Sequence, residues 1–193
     1  MLIPRPETEE LCALVIKENT LPAPRILDIG CGSGCIAITL KKEIPDAEVY
    51  ALDISKDALD IAERNASSLE ANVHFIQADI LKENPFTDLQ FDIIVSNPPY
   101  IPHSDKASMH KNVLAYEPEL ALFPEGDDAL VFYRRIAELG KIILHEQGKM
   151  YLEIHHETGR EAEKFFKSDP YSKINISQDL SGKDRILQAE LRR

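Results

Sequence analysis

Apolar residues in this chain come in short blocks whose spacing alternates between two periods. Over Glu7–Lys17, Leu11, Leu14 and Val15 recur at helical spacing behind prolines that suit a helix start. Arg25–Ile29 is a compact apolar run that reads as a strand and ends in Gly30-Cys31-Gly32-Ser33-Gly34. Cys35–Glu43 predicts a helix halted before Pro45, and Glu48–Asp53 a second strand. Ser55 is a good N-cap for a helix that turns Ala58, Ile61, Ala62 and Leu69 inward. Val73–Gln77 and Phe91–Ser96 predict two more strands. From Asn97 to about Asp128 periodicity fades, and a loop of that length in a compact domain is expected to be a lid or binding loop. Ala129–Leu144 returns to helical spacing, Lys149–Ile154 predicts a fifth strand, and Glu157–Phe166 a helix. Two closing strands, Lys173–Gln178 and Arg185–Leu191, flank the turn-rich Asp179-Leu180-Ser181-Gly182-Lys183-Asp184.

Strand–helix alternation of this kind implies an α/β fold with a mostly parallel sheet and helices on both faces. Ligands of such sheets bind beyond the carboxyl ends of the strands, where the strand order reverses. The chain has 193 residues, 44% of them apolar, enough for one full core. A single domain over residues 1–193 is therefore expected. The longest apolar runs, Ile36–Leu40 and Phe91–Val95, are too short to cross a bilayer. The opening residues lack the basic and apolar segments of a signal peptide. Three cysteines, an odd number, argue against a disulfide framework and for a reducing compartment, so a cytoplasmic location is expected. The formal charge of −11 disfavours tight binding to nucleic-acid backbones and favours a small-molecule or protein substrate.

The candidate chemistry falls at the strand ends. In Asp28-Ile29-Gly30-Cys31-Gly32-Ser33-Gly34, three glycines within five residues let the backbone turn sharply and approach a ligand. A dinucleotide fingerprint would space its glycines as Gly-x-Gly-x-x-Gly and cradle a pyrophosphate. Here the spacing is Gly-x-Gly-x-Gly, and the carboxylate of Asp28 beside it suits an ammonium better than a phosphate. That points to the methionine end of S-adenosyl-L-methionine, with S-adenosyl-L-homocysteine as product. Asp53, ending the second strand, is placed to accept from ribose hydroxyls. Asp79 follows the third strand, where it can accept from an adenine amino group with Ile80 as apolar neighbour to the ring. Each acid alone reads equally as a turn residue; their succession beside the glycine run is what carries the cofactor reading.

Ser96-Asn97-Pro98-Pro99-Tyr100 follows the fourth strand. Pro98 and Pro99 fix φ and supply no N–H, which leaves local carbonyls available. The Asn97 side-chain oxygen and the Pro98 carbonyl can both accept from one NH₂ group, and Tyr100 offers a ring face to a flat substrate. An amide nitrogen is a poor nucleophile, because its lone pair is delocalised into the carbonyl. Two preorganised acceptors would aim it at a sulfonium methyl and stabilise the charge that develops. A rigid proline turn is the bland alternative. Cys31 and Cys35 lack a second pair, and His155-His156-Glu157 reads as a solvated strand end, so no metal site is expected. Glu153 is a strand-end acid that is a further candidate to line the pocket.

Taken together, Ile3-Pro4-Arg5-Pro6-Glu7-Thr8-Glu9, Asp28–Gly34, Asn97–Ile101, Glu117-Pro118 with Ala121-Leu122, and Asp179–Arg185 resemble the release-factor glutamine methyltransferases, essentially end to end. The resemblance implies a class I S-adenosylmethionine-dependent, Rossmann-like methyltransferase with a seven-stranded sheet whose last strand is antiparallel. It implies methylation of the glutamine in the Gly-Gly-Gln loop of peptide-chain release factors. Asp28, Ile29, Gly30, Cys31 and Gly32 would line the cofactor pocket, Asp53 would hold the ribose, Asp79 and Ile80 would flank the adenine, and Asn97 would border the cofactor. Asn97, Pro98, Pro99 and Tyr100 would bind the glutamine, with Asn97, Pro98 and Tyr100 at the chemistry. Residues 1–20 resemble the strip and helix packed over the active site in that family, where Arg5 or Glu7 would touch the substrate and Glu117 is a weaker candidate. Members of the family usually carry an additional helical N-terminal domain that grips the release factor, and this chain begins where the catalytic domain begins. The main rival activity is methylation of an exocyclic amine of adenine in DNA or RNA, which is also flat and conjugated but calls for a basic groove and base extraction. A small-molecule methyltransferase and a non-catalytic cofactor-binding module complete the alternatives.

Overall fold

A computed structural model describes residues 5–99, 128–167 and 170–192. Seven strands are joined in one sheet: β1 (Arg25–Ile29), β2 (Glu48–Asp53), β3 (Val73–Gln77), β4 (Phe91–Ser96), β5 (Leu144–Glu153), β6 (Tyr171–Gln178) and β7 (Asp184–Leu191). Their spatial order is β3-β2-β1-β4-β5-β7-β6. The first five run parallel, and β7 is antiparallel to both neighbours. Order reverses between β1 and β4, which are hydrogen-bonded neighbours with Ile29 opposite Ser96. The helices are α1 (Pro6–Glu18), α2 (Cys35–Glu43), α3 (Lys56–Ser68), α4 (Val131–Ile143) and the short α5 (Gly159–Glu163).

Period-two alternation along the strands assigns each face its helices. Ile26, Val49, Ala51, Ile93, Val95, Tyr151 and Ile186 pack with Leu11 and Val15 of α1 and Ala37 and Leu40 of α2. Leu27, Ile29, Leu52, Ile94, Met150, Leu152 and Leu187 pack against Tyr133, Ile136 and Leu139 of α4 on the opposite face. Both layers are buried. The Ser55 side chain accepts from the Ala58 N–H, capping α3 as its sequence predicts.

Leu69, expected inward, caps the end of α3 and is 53% exposed, and two elements differ further from the sequence reading. β5 begins at Leu144, directly after α4, and Gln147 takes a φ of 63° where the β4–β5 register shifts between Phe91 and Ile93. Polar residues at His145, Glu146 and Gln147 hide this segment from a periodicity argument, because they fall in the irregular stretch between the Phe91–Leu144 and Ile93–Lys149 pairs. The helix expected over Glu157–Phe166 is regular only over Gly159–Glu163 and continues as turns to Phe166.

Gly140 of α4 packs tightly against side chains of the sheet. A Cβ there would lie 1.6 Å from Met150 Cε and 2.6 Å from the Tyr171 hydroxyl, which donates to the Ala137 carbonyl. Gly140→Val is expected to lower unfolding free energy by about 3 kcal/mol through overpacking, read as a lower urea midpoint with an unchanged slope.

Candidate active site

The same alternation that sorts the core places four polar residues on the α1–α2 side at the carboxyl end of the sheet. Asp28 shares parity with Ile26, Asp53 with Ala51, Asn97 with Val95 and Glu153 with Tyr151. Because β1 and β4 are adjacent, the glycine turn after one and Asn97 after the other leave the sheet side by side. The Ser96 hydroxyl donates to the Ile29 carbonyl at 2.6 Å and ties the two strand ends together.

The turn after β1 is built for close approach. Gly30 and Gly32 have φ values of 74° and 54°, a region where a side chain is strained. A Cβ on either would meet nothing within 4 Å, so the backbone here borders open space. The Gly30 and Cys31 N–H groups both donate to the Leu52 carbonyl, and Gly32 N–H donates to Asp53 at 2.8 Å. Asp53 also accepts from the Ser55 N–H at 2.9 Å. It is half-buried at the rim of the turn, and a carboxylate with about four acceptor sites retains capacity for a ligand hydroxyl.

Asp28 is the unusual member. It is completely buried, and among the described residues its Oδ2 accepts a single long bond of 3.2 Å, from the Ala37 N–H at the start of α2. Its Oδ1 has no hydrogen-bond partner among the described residues. Burial raises its pKa to about 7, opposed by the Ala37 bond and reinforced by Asp53. A buried acceptor without a donor is costly, so this position fits a ligand that brings an N–H or a positive charge. The neighbouring thiols are not activated: burial, with Asp28 adding, raises Cys31 and Cys35 and pushes Cys12 up to about 12.

Of the remaining sequence candidates, Ile29 and Ile80 are buried, Cys31 lies in the turn, and Pro98 is buried beside a half-buried Pro99. Asp79 accepts from the Leu81 N–H at 3.0 Å and pairs with Lys82 at 2.7 Å, so its carboxylate is partly engaged in its own turn. Arg5 and Glu7 are half-buried at the start of α1, where the Arg5 carbonyl accepts from Thr8 and Glu9. Tyr100 and Glu117 lie outside the described residues.

Two contributors were under-read in the sequence. Thr8 of α1 is buried, donates to Glu153 at 2.7 Å and receives a 3.2 Å bond from the Asn97 side-chain nitrogen. Glu153, a strand-end acid and further candidate to line the pocket, is 1% exposed. The available signal was Thr8 itself: with Leu11 and Val15 it lies on the inward stripe of α1, where a polar residue needs a partner. At the other end of α1, Glu18 accepts from Tyr151 at 3.0 Å and from Gln188 at 2.9 Å, so β5 and β7 hold the helix at both ends.

The comparisons with known proteins agree with this architecture. Residues 10–143 match the family described as the methyltransferase small domain. A solved structure of the ribosomal protein L11 methylase from Lactobacillus delbrueckii subsp. bulgaricus covers 98% of this chain and 81% of its own, with a TM-score of 0.69 at 21% identity, a likeness of fold. Sheet order, glycine turn and family match define a class I S-adenosylmethionine-dependent methyltransferase. The release factor glutamine methyltransferase of Bacteroides thetaiotaomicron is 50% identical over 189 residues, spanning 98% of this chain and 68% of the relative. That of Flavobacterium psychrophilum is 46% identical over 195 residues, spanning 99% and 68%. The chain belongs to the release factor glutamine methyltransferase family.

Proposed function

We propose that this protein transfers a methyl group from S-adenosylmethionine to the side-chain amide nitrogen of the glutamine in the Gly-Gly-Gln motif of peptide-chain release factors. The observation that carries the reading is the adjacency of β1 and β4, which sets the glycine turn and Asn97 at one reversal of strand order in a chain of this family. The open backbone at Gly30 and Gly32 and the unpartnered Asp28 oxygen fit the cofactor's aminoacyl end, with Asp53 at its ribose and Asp79 and Ile80 at its base. When bound, the cofactor supplies an electrophilic methyl on a positively charged sulfur.

Asn97 Oδ1 and the Pro98 carbonyl accept the two N–H bonds of the substrate amide and turn its nitrogen toward that methyl. The ring of Tyr100 is the group its motif offers to a planar amide, and Arg5 and Glu7 are the residues offered for the approach. With the methyl donor bound, the amide nitrogen so aligned would take the methyl carbon, and the sulfur would keep the electron pair of the broken bond. The acidified N–H then yields its proton to solvent, so no strong base is needed before attack. Preorganised acceptors of this kind stabilise positive charge as it grows on the amide.

A cytoplasmic site of action belongs to the same proposal. Cys12, Cys31 and Cys35 are all free, and no described helix is long and apolar enough to cross a membrane. The test is incubation with methyl-labelled cofactor and an unmethylated release factor, followed by mass spectrometry. One methyl on the Gly-Gly-Gln glutamine is the expected product. Label on adenine amines of added DNA or RNA, with none on the protein, would replace this reading by the nucleic-acid one.

A further inference from the structure

We infer that Thr8 and Glu153 form a positioning relay that sets which end of the Asn97 amide faces the substrate. Three side chains from distant parts of the chain meet at the carboxyl end of β4 and β5. Thr8 Oγ1 donates to Glu153 Oε2 at 2.7 Å, and Asn97 Nδ2 donates to Thr8 Oγ1 at 3.2 Å. Thr8 is 5% exposed and Glu153 1%. Asn97 is half-buried.

The direction of this chain follows from counting protons. A threonine hydroxyl has one proton and two lone pairs. Its proton is committed to Glu153 Oε2, the shorter of its two bonds at 2.7 Å against 3.2 Å to Asn97. The hydroxyl therefore offers only lone pairs to Asn97, and only the NH₂ end of the amide can meet it. The flipped amide would set two acceptors against each other at about the same separation, or draw the proton away from Glu153. Asn97 Oδ1 is thereby turned to the opposite side. An asparagine without this constraint offers donor and acceptor about equally and would present the wrong end to a substrate NH₂ part of the time.

This inference rests on Asn97 being the acceptor for the substrate amide, and the test separates the two ideas. Thr8→Val keeps the shape of the side chain and removes the hydroxyl. It is expected to lower kcat about 10–100-fold, as loss of alignment at the reacting nitrogen does, with cofactor Kd changed less than about twofold. Thr8→Ser, which retains the hydroxyl, should recover kcat to within about threefold. Asn97→Ala is run beside them as the reference for loss of the acceptor. Independently of turnover, side-chain amide NMR of the ¹⁵N-labelled protein should show an Asn97 NH₂ resonance with a nuclear Overhauser contact to the Thr8 methyl, its signal identified by its loss in Asn97→Ala. That measurement on unmodified protein decides the geometry even where Thr8→Val does not fold.

Wild-type kcat in Thr8→Val beside an inactive Asn97→Ala overturns the relay and leaves the proposed function standing. Wild-type kcat in Asn97→Ala overturns both. Equal losses in Thr8→Val and Thr8→Ser, accompanied by weakened cofactor binding, assign Thr8 a packing role and also overturn the relay.

Discussion

Asn97→Ala is expected to lower kcat/KM for methylation of a release factor by about 10²–10³-fold, the usual consequence of removing one preorganised hydrogen-bonding group at a reacting centre. That corresponds to about 3–4 kcal/mol of transition-state stabilisation. The loss should fall mainly on kcat. In the ground state the amide nitrogen is nearly neutral and its N–H bonds are satisfied almost as well by water. Positive charge develops only as the methyl transfers, and that is when an aligned acceptor matters most. Stability should change little, because Asn97 is half-buried and among the described residues its side chain is held by a single 3.2 Å bond to Thr8. Single-turnover transfer of labelled methyl, with cofactor affinity measured separately by calorimetry, checks the expectation. Equal losses of kcat and cofactor affinity would instead make Asn97 a cofactor ligand before all else.

Asp28→Asn should separate function from stability. At pH 8 the variant is expected to bind S-adenosylmethionine at least about tenfold more weakly, since a neutral amide replaces a buried carboxylate beside the cofactor's ammonium; a lost charge-assisted bond is worth about 1.5–3 kcal/mol. Stability should move the other way with pH. Burial holds the folded-state pKa of Asp28 at about 7 against an ordinary value of 3.8. Between those limits the folded chain keeps a proton that the unfolded chain has released, so wild-type stability falls as pH rises through the window. Below pH 3.8 the group is protonated in both states and contributes no difference. Above about pH 7 the full penalty is present, on the order of 4 kcal/mol at about 1.4 kcal/mol per unit. Asparagine does not titrate, and its own cost of burying an NH₂ is constant with pH. The variant's stability relative to wild type should therefore rise from pH 4 to pH 8, which urea titrations at pH 4, 6 and 8 will read. A flat difference across that range would show that Asp28 is not held protonated by its surroundings.

Both results depend on features of differing legibility in the sequence. β1, α2, β2, β3 and β4 have the boundaries that their apolar runs predict. Each is short, and β1 and α2 are bounded by glycine and proline, so local propensity and tertiary packing agree. The glycine turn and the Asn97-Pro98-Pro99-Tyr100 run were equally plain, since both demand particular backbone behaviour from consecutive residues. β5 was under-read because the polar residues after Leu144 lie where its pairing with β4 shifts register, so no apolar period marks them. α5 was over-read because apolar spacing across Ala162, Phe165 and Phe166 is satisfied as well by turns that bury the same side chains.

The insertion of β7 between β5 and β6 depends on pairings between distant segments that no local pattern encodes. The same holds for the Thr8–Glu153 contact, which joins residues 145 apart, and for Asn97 and Thr8, 89 apart. By itself the sequence determined the α/β class and marked the strand ends and residue types proposed for the chemistry, because helix and strand periods and glycine and proline constraints are local. The tertiary structure alone decided that Asp28 loses its water and that a threonine hydroxyl comes to stand between a buried carboxylate and Asn97. Desolvation and hydrogen-bond direction exist only once distant segments have packed together.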